Sequence, residues 1–209
     1  MSTQSKAVSA DSGITQRITA VPLLFAVVLG SSLIEFNHIL IPPDITSLSF
    51  WAFIIVWLSA FTSWLAYQEA ALSFPYTRRR MARLRAAIEA IGAGMWAFIL
   101  FFASQADDSL FGYLWGFVVF FILLILVYLI RRREWHLPES IYASLGRTIK
   151  HGIVILTTAV AYSIWALLFK PIPEVAVWII LFIPFAITIS LRSPQLFREL
   201  PAGLPDNQH

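Results

Sequence analysis

Long apolar stretches alternate with short polar breaks along most of the chain. A helix needs about 20 mostly apolar residues to cross a hydrocarbon core of about 30 Å, and six of these stretches are long enough. None reads as a strand, and backbone groups in lipid must bond within their own element. We therefore predict an all-α, polytopic integral membrane protein with six transmembrane helices in three hairpins. The predicted spans cover residues 18–40, 49–73, 84–104, 110–130, 148–169 and 173–191.

Polar segments flank this predicted transmembrane domain of residues 18–191. Residues 1–17 are rich in Ser, Thr and Ala, and we expect them to form a disordered cytoplasmic tail. The apolar stretch that follows is too long for the hydrophobic region of a signal peptide. Residues 192–209 are predicted to form a second cytoplasmic tail.

The basic residues fall on one side of this pattern. Fourteen of the 15 lysines and arginines lie in the two tails or in every second break, and Lys170 is the exception. Cytoplasmic segments of membrane proteins carry an excess of Lys and Arg, so both termini are predicted to be cytoplasmic, in the cell (inner) membrane. The residues that we assign as cytoplasmic basic anchors are Arg78, Arg79, Arg80, Arg131, Arg132 and Arg133.

Composition excludes several classes of protein. Only 13% of the residues are charged, against about 25% in a soluble domain. The pI of 9.4 would suit a nucleic-acid binder, but membrane topology already accounts for the basic residues, so we predict no nucleic-acid partner.

The absence of cysteine excludes disulfides, thiolate catalysis and iron–sulfur clusters. Because the phosphate-loop, HExxH and GxSxG motifs are also missing, we expect no enzyme activity, no cofactor and no metal.

Two helices are expected to begin outside the membrane. Thr77 is a candidate N-cap just before the Arg78–Arg85 cluster, with no breaker before the third span. Pro138 and Glu139 suit the first turn of a helix that continues into the fifth span. Both extensions would project basic surface into the cytoplasm. That surface serves either as an anchor to anionic lipid or as a docking site for a soluble partner.

Acidic residues inside the spans are functional candidates because burying them in lipid is costly. Ser31, Glu35 and His38 share one face of the first span, and Glu35 lies about 26 Å from its inner end. The functional interpretation of Glu35 and His38 is a proton or cation path, since a carboxylate can pass a proton to an imidazole. The alternative is a structural hydrogen-bonded pair.

Two further glutamates lie closer to the predicted inner side. Arg85 precedes Glu89 by four residues, so a local ion pair is the favoured explanation for Glu89. Glu69, near the inner end of the second span, has no basic neighbour at helical spacing within that span. It can reach Arg83 or Arg85 across the inner turn, which would give it a structural role too.

The fifth span carries a polar and aromatic stripe that is either packed against other helices or lines a pore. Gly112 and Gly116 match the small-xxx-small pattern of helix dimerisation. The stripe consists of His151, Ile155, Thr158, Tyr162 and Trp165.

The size and six-span layout resemble those of small bacterial potassium channels, whose first helix carries a Phe-Ser-Asp motif. The first span here reads Ser-Leu-Ile-Glu-Phe-Asn-His instead, so the resemblance transfers no site residue. One hypothesis is a small-ion (proton or cation) channel or transporter that acts as an oligomer. A second is a non-catalytic membrane scaffold or sensor that recruits a cytoplasmic partner through its basic loops. The third, an integral membrane enzyme acting on lipid, is disfavoured because paired acids or histidines are missing at the interface. The expected partners are the lipid bilayer and either further copies of the chain or other subunits of a membrane complex.

Overall fold

The computed structural model describes residues 20–73, 79–135, 139–169 and 172–196. All regular structure in these ranges is helical, which confirms the predicted all-α class. Continuous apolar runs explain why the segments are helical, since a helix satisfies its backbone groups without water. The helices are α1 (Ala20–Glu35), α2 (Asn37–Leu40), α3 (Leu48–Ser73), α4 (Arg79–Ala103), α5 (Phe111–Trp135), α6 (Glu139–Leu168) and α7 (Glu174–Leu196).

Helices α3 to α7 are each long and apolar enough to cross a membrane. The chain is therefore a helical membrane protein with five candidate spanning helices among the described residues. The first predicted span differs, because α1 ends at Glu35 and Phe36 has a non-helical backbone, with φ −104° and ψ 24°. The Phe36 ring packs edge-on against Phe53 of α3, with the ring centroids 5.6 Å apart. The chain then forms only the single turn of α2.

The two expected helix extensions are present. Helix α4 begins at Arg79, four residues before its membrane-compatible part at Arg83. Helix α6 begins at Glu139, six residues before its apolar part at Leu145. The proposed N-cap residue Thr77 lies outside the described residues, as do residues 1–17.

Helices α3 to α7 form a closed ring. Each packs against the next along the chain, and α7 packs back against α3. Large aromatic side chains fill the core between the helices, and Trp96, Tyr113 and Phe117 are fully buried. The Phe117 ring meets Trp96 and Tyr113 edge-on, at centroid distances of 5.8 and 5.2 Å. The interior of a single chain is therefore packed with side chains.

Helix α1 packs against α3. The Trp57 indole donates a hydrogen bond to the Leu29 carbonyl across 3.4 Å, and the rings of Phe25 and Tyr67 lie 6.3 Å apart. The helices of the ring are buried to different extents: half of the apolar stretch of α5 is buried, against 17% of the apolar stretch of α6. Helix α5 is thus the most buried of the five long helices, and α6 turns most of its surface outward.

The two glycines of the small-xxx-small motif pack within the chain. A Cβ atom added at Gly116 would lie 2.8 Å from the Ile99 side chain of α4, and one added at Gly112 would collide with the Phe102 ring. Their small size allows α4 and α5 to approach closely at this end. The structure therefore assigns the motif to contact within one chain, where the sequence pattern indicated dimerisation.

Candidate functional site

The Glu35 and His38 candidates lie at the junction of α1 and α2. Glu35 is the last residue of α1, and the break at Phe36 ends the helical face that it was expected to share with His38. Both side chains are exposed, and within the described residues neither has a hydrogen-bond or ion-pair partner. The Ser31 hydroxyl donates a long hydrogen bond of 3.4 Å to the Val28 carbonyl of its own helix.

The stripe on α6 is held mainly by structural contacts. The buried Tyr162 hydroxyl accepts a hydrogen bond of 3.0 Å from the Leu110 backbone N–H and so caps the start of α5. The Thr158 hydroxyl donates to the Val154 carbonyl at 2.8 Å. Ile155 is fully buried, whereas Trp165 is exposed. This face of α6 packs partly against α5, as expected for hydroxyl-bearing residues in hydrocarbon.

The remaining predicted residues lie at the other end of the bundle. Glu69 is half-buried on α3, near its C-terminal end. Arg132 and Arg133 are exposed on the last turn of α5. Arg79 and Arg80 belong to the first turn of α4, and Arg78 lies outside the described residues.

Arg131 is turned inward, unlike the two arginines that follow it. One of its terminal nitrogens, Nη2, donates to Glu89 Oε1 at 2.9 Å, and its side chain is only 12% exposed. The same oxygen accepts a hydrogen bond from Arg85 Nε, also at 2.9 Å, which confirms the predicted Arg85–Glu89 pair. The Glu89 side chain is 4% exposed and that of Arg85 is fully buried. We call these three residues the charge cluster.

The charge cluster follows from antiparallel packing of α4 on α5. Arg85 and Glu89 are neighbours on one face of α4 because they are one helical turn apart. The C-terminal end of α5 lies beside the start of α4, which brings Arg131 to the same carboxylate. Glu89 lies about 9 Å beyond Arg83, where the membrane-compatible part of α4 begins. An ion pair buried at that depth needs several contacts to offset its desolvation.

A partly enclosed cleft of about 90 Å³ opens beside the charge cluster. Helices α1, α3, α4 and α5 all contribute to it, while α6 and α7 do not. Its polar groups are Glu89, Arg131 and the hydroxyls of Ser63, Tyr67 and Tyr128. The other lining residues are apolar or glycine: Phe25, Ala66, Ala70, Ile88, Gly92, Ala93, Phe120, Leu123, Leu124 and Val127. A mostly apolar pocket with a few convergent polar groups is the usual form of a ligand site.

Sequence reasoning missed this site because it placed Arg131 with the surface anchors. No local pattern distinguishes Arg131 from Arg132 and Arg133, which occupy the same run. The only available signal was Glu89, since a carboxylate inside a span calls for basic partners. In the described part of the chain, no three His, Asp or Glu side chains come together in a way that could hold a metal ion.

The opposite end of the bundle is joined by an aspartate. The Asp107 carboxylate, in the connection from α4 to α5, accepts hydrogen bonds from the Ser47 hydroxyl at 2.7 Å and the Leu48 N–H at 2.8 Å. It also accepts a longer bond of 3.3 Å from the Ser49 N–H, while its own N–H donates to the Ser49 hydroxyl. We call this arrangement the Asp107 clasp. It caps the start of α3.

The Asp107 clasp also changes the acidity of its carboxyl group. Partial burial by itself would raise the pKa of Asp107, but hydrogen bonds from Ser47, Ser49 and Leu48 outweigh it and hold the pKa below its ordinary value of 3.8. The carboxylate is therefore ionised at neutral pH and stays an acceptor for the first turn of α3.

The five long apolar helices define the class of the protein as a helical membrane protein. In comparisons with known proteins, no family model, no curated protein and no solved structure matches the chain.

Proposed function

We propose that the chain crosses the cell (inner) membrane six times, as three hairpins, with both termini in the cytoplasm. The asymmetry of the basic residues supports this orientation. Helix α1 would supply the sixth crossing, since its 16 mostly apolar residues extend about 24 Å and the membrane can thin around a short span.

The absence of cysteine permits a direct test of this topology. Single cysteines at Ser5, Ile45, Asp108 and Arg133 would be treated with a membrane-impermeant maleimide in intact cells. The proposal expects labelling at Ile45 and Asp108 only, with Ser5 and Arg133 labelled after the membrane is opened. Labelling of Ser5 in intact cells would show that α1 does not cross.

In this membrane the chain acts, in our proposal, as a non-catalytic scaffold or sensor that recruits an acidic cytoplasmic protein. The single observation that carries the proposal is an array of exposed basic side chains from three different helices at one end of the ring. Positive patches steer and orient partners of opposite charge. The array consists of Arg83 on α4, Arg132 and Arg133 on α5, and Arg147 and Lys150 on α6.

Recruitment can be separated from simple lipid anchoring. A photo-crosslinking amino acid at Gly146, which lies on α6 within this array, would capture a bound protein in cells. The variant with Arg133, Arg147 and Lys150 changed to Gln should lose the crosslinked protein. A matched variant with Asp44, Asp108 and Glu174 changed to Asn or Gln should keep it. Equal crosslinking in both variants, or loss of bound anionic lipid alone, would refute recruitment.

Small-ion transport by an oligomer is the second proposal. Its supporting observation is the small buried fraction of α6, which leaves His151 and Thr158 half-buried at an edge that a second copy could enclose. Transport then requires copies of the chain, because aromatic side chains fill the core of one chain. Proton and cation flux into liposomes would be measured for the wild type and for Glu35→Gln. Equal flux in both would remove Glu35 and His38 from the path.

A further inference from the structure

The cleft beside the charge cluster combines two kinds of surface. One wall is built from large apolar side chains on α5 and α1, namely Phe120, Leu123, Leu124, Val127 and Phe25. Arg131 lies at the end of this wall on the same helix α5. A single pocket therefore offers a charged group next to an apolar surface.

Arg131 has hydrogen-bonding capacity that the bundle does not use. A guanidinium carries five N–H donors in a planar fork. The terminal nitrogen Nη2 donates to Glu89, while the other terminal nitrogen, Nη1, has no hydrogen-bond partner in the described part of the chain. An N–H donor without an acceptor is unfavourable where water has little access. A ligand that brought oxygen acceptors to this guanidinium would satisfy that donor.

The sign of the charge favours an anion. Arg131 carries a positive charge at the cleft, and Glu89 Oε1 already accepts hydrogen bonds from both arginines of the charge cluster. Carboxylate and phosphate oxygens are the groups that match the fork of an arginine side chain. Attraction between charges is also stronger in a site from which water is largely excluded.

The volume limits how much of the ligand enters. About 90 Å³ is smaller than an engineered cavity of about 150 Å³ that holds benzene. The cleft can therefore take the polar head and the first few carbons of one chain, and the rest of the chain would lie outside, along the bundle and among the lipids. A second acyl chain does not fit into this space.

We propose that this cleft binds a single-chain anionic amphiphile, with its carboxylate or phosphate on Arg131 and its first carbons against the Phe120 to Val127 wall. The site lies inside the bundle and does not depend on recruitment at the exposed basic array. Two kinds of molecule fit this description, free fatty acids and lysophospholipids, and the experiment distinguishes them.

Binding is measured on the full chain in a neutral detergent, with radiolabelled palmitate as the probe. Unlabelled palmitate, lysophosphatidic acid and the uncharged hexadecanol then compete for the bound label. The proposal expects palmitate or lysophosphatidic acid to displace the label at least tenfold better than hexadecanol. Whichever of the two competes better identifies the source of the head group. Equal competition by hexadecanol would overturn the assignment of the head to Arg131.

Two matched pairs of variants locate the site. Arg131→Gln should weaken palmitate binding at least tenfold, while Arg133→Gln, which removes an exposed charge from the same helix turn, should leave it within twofold. Gly92→Leu should also abolish binding, because Gly92 lines the cleft and a Cβ there meets no atom within 4 Å. Gly94→Leu is its control, since Gly94 is equally open but does not line the cleft.

The glycine pair keeps the proposal falsifiable if Arg131→Gln fails to fold, because it leaves the charge cluster intact. Unchanged palmitate binding by a folded Gly92→Leu variant would place the ligand elsewhere and refute the cleft. Equal loss of binding in Arg131→Gln and Arg133→Gln would show that only the general positive charge of this end attracts the amphiphile, which also refutes the site.

Discussion

The two ends of the bundle are held together by different chemistry. At one end, the Asp107 clasp and the Tyr162 hydroxyl supply acceptors to the backbone N–H groups that begin α3 and α5. At the other end, Glu89 accepts hydrogen bonds from two largely buried arginines, and a cleft remains beside them. The clasp provides acceptors for backbone N–H groups, which lack an intrahelical hydrogen bond at the start of every helix. The charge cluster, by contrast, pairs charged side chains that could have remained at the surface.

This difference indicates where function resides. A cap that completes helix termini has a sufficient structural reason to exist. Buried charges, by contrast, are often no better for stability than apolar packing of equal volume, so they are poor evidence for a purely structural role. In a membrane they mark binding or transport sites by default. The cleft end of the bundle is therefore the part in which we expect substitutions to affect ligands as well as stability.

The largest expected effect is from Glu89→Gln. The change leaves two arginines without their shared carboxylate, and removing one partner of a buried pair costs about 3–5 kcal/mol. The thermal unfolding midpoint of the purified protein in detergent should fall steeply. The control is Glu174→Gln, which changes an exposed acid and should leave the midpoint unchanged. A stable Glu89→Gln protein would show that the charge cluster does not hold α4 to α5.

Glycine-to-alanine changes should have opposite signs at the two ends. Gly116→Ala would place a methyl group 2.8 Å from the fully buried Ile99, and overpacking of this kind costs about 1–3 kcal/mol. Gly92→Ala meets no atom within 4 Å and should gain up to about 1 kcal/mol from helix propensity. Unfolding midpoints of both variants test this, and a shift in the same direction for both would contradict it.

Loss of the Asp107 clasp should cost less than loss of the charge cluster. Asp107→Ala removes the acceptor for the first N–H groups of α3, and substituting such a capping residue costs about 0.5–2 kcal/mol. The free energy of unfolding is the quantity to measure. Asp108→Ala is a matched control because Asp108 is the exposed neighbour in the same connection. Equal losses for the two aspartates would show that the hydrogen bonds to Ser47 and Leu48 contribute nothing.

The smallest expected effect is a dependence of stability on pH. Because folding lowers the pKa of Asp107 below 3.8, its ionised form stabilises the fold above that pH. This contribution is lost as the pH falls through the lowered pKa. The unfolding midpoint of the wild type should therefore decline more between pH 5 and about pH 3 than that of Asp107→Asn. Parallel curves for the two proteins would contradict the role given to the hydrogen bonds. Partial exposure keeps the difference small.

Local patterns predicted the helices well. The starts of α4 and α6 ahead of their membrane-compatible parts, the Arg85–Glu89 pair and the five long apolar helices all follow from hydropathy, helix starts and one-turn spacing. The first span was predicted as one helix over residues 18–40, but contact between Phe36 and Phe53 accompanies a break. That contact joins two elements, so the sequence around Phe36 carries no sign of it.

The sequence by itself determined that the chain forms long apolar helices of a membrane protein, because lipid thickness sets the length of apolar runs, which are local features of the chain. Only the tertiary structure decided that Arg131 turns inward while Arg132 and Arg133 do not. Tertiary packing likewise placed Gly112 and Gly116 at the contact between α4 and α5 within one chain, and it left a cleft between four helices. Those outcomes depend on which helix faces which, and that is set by the fit of side chains far apart in the sequence.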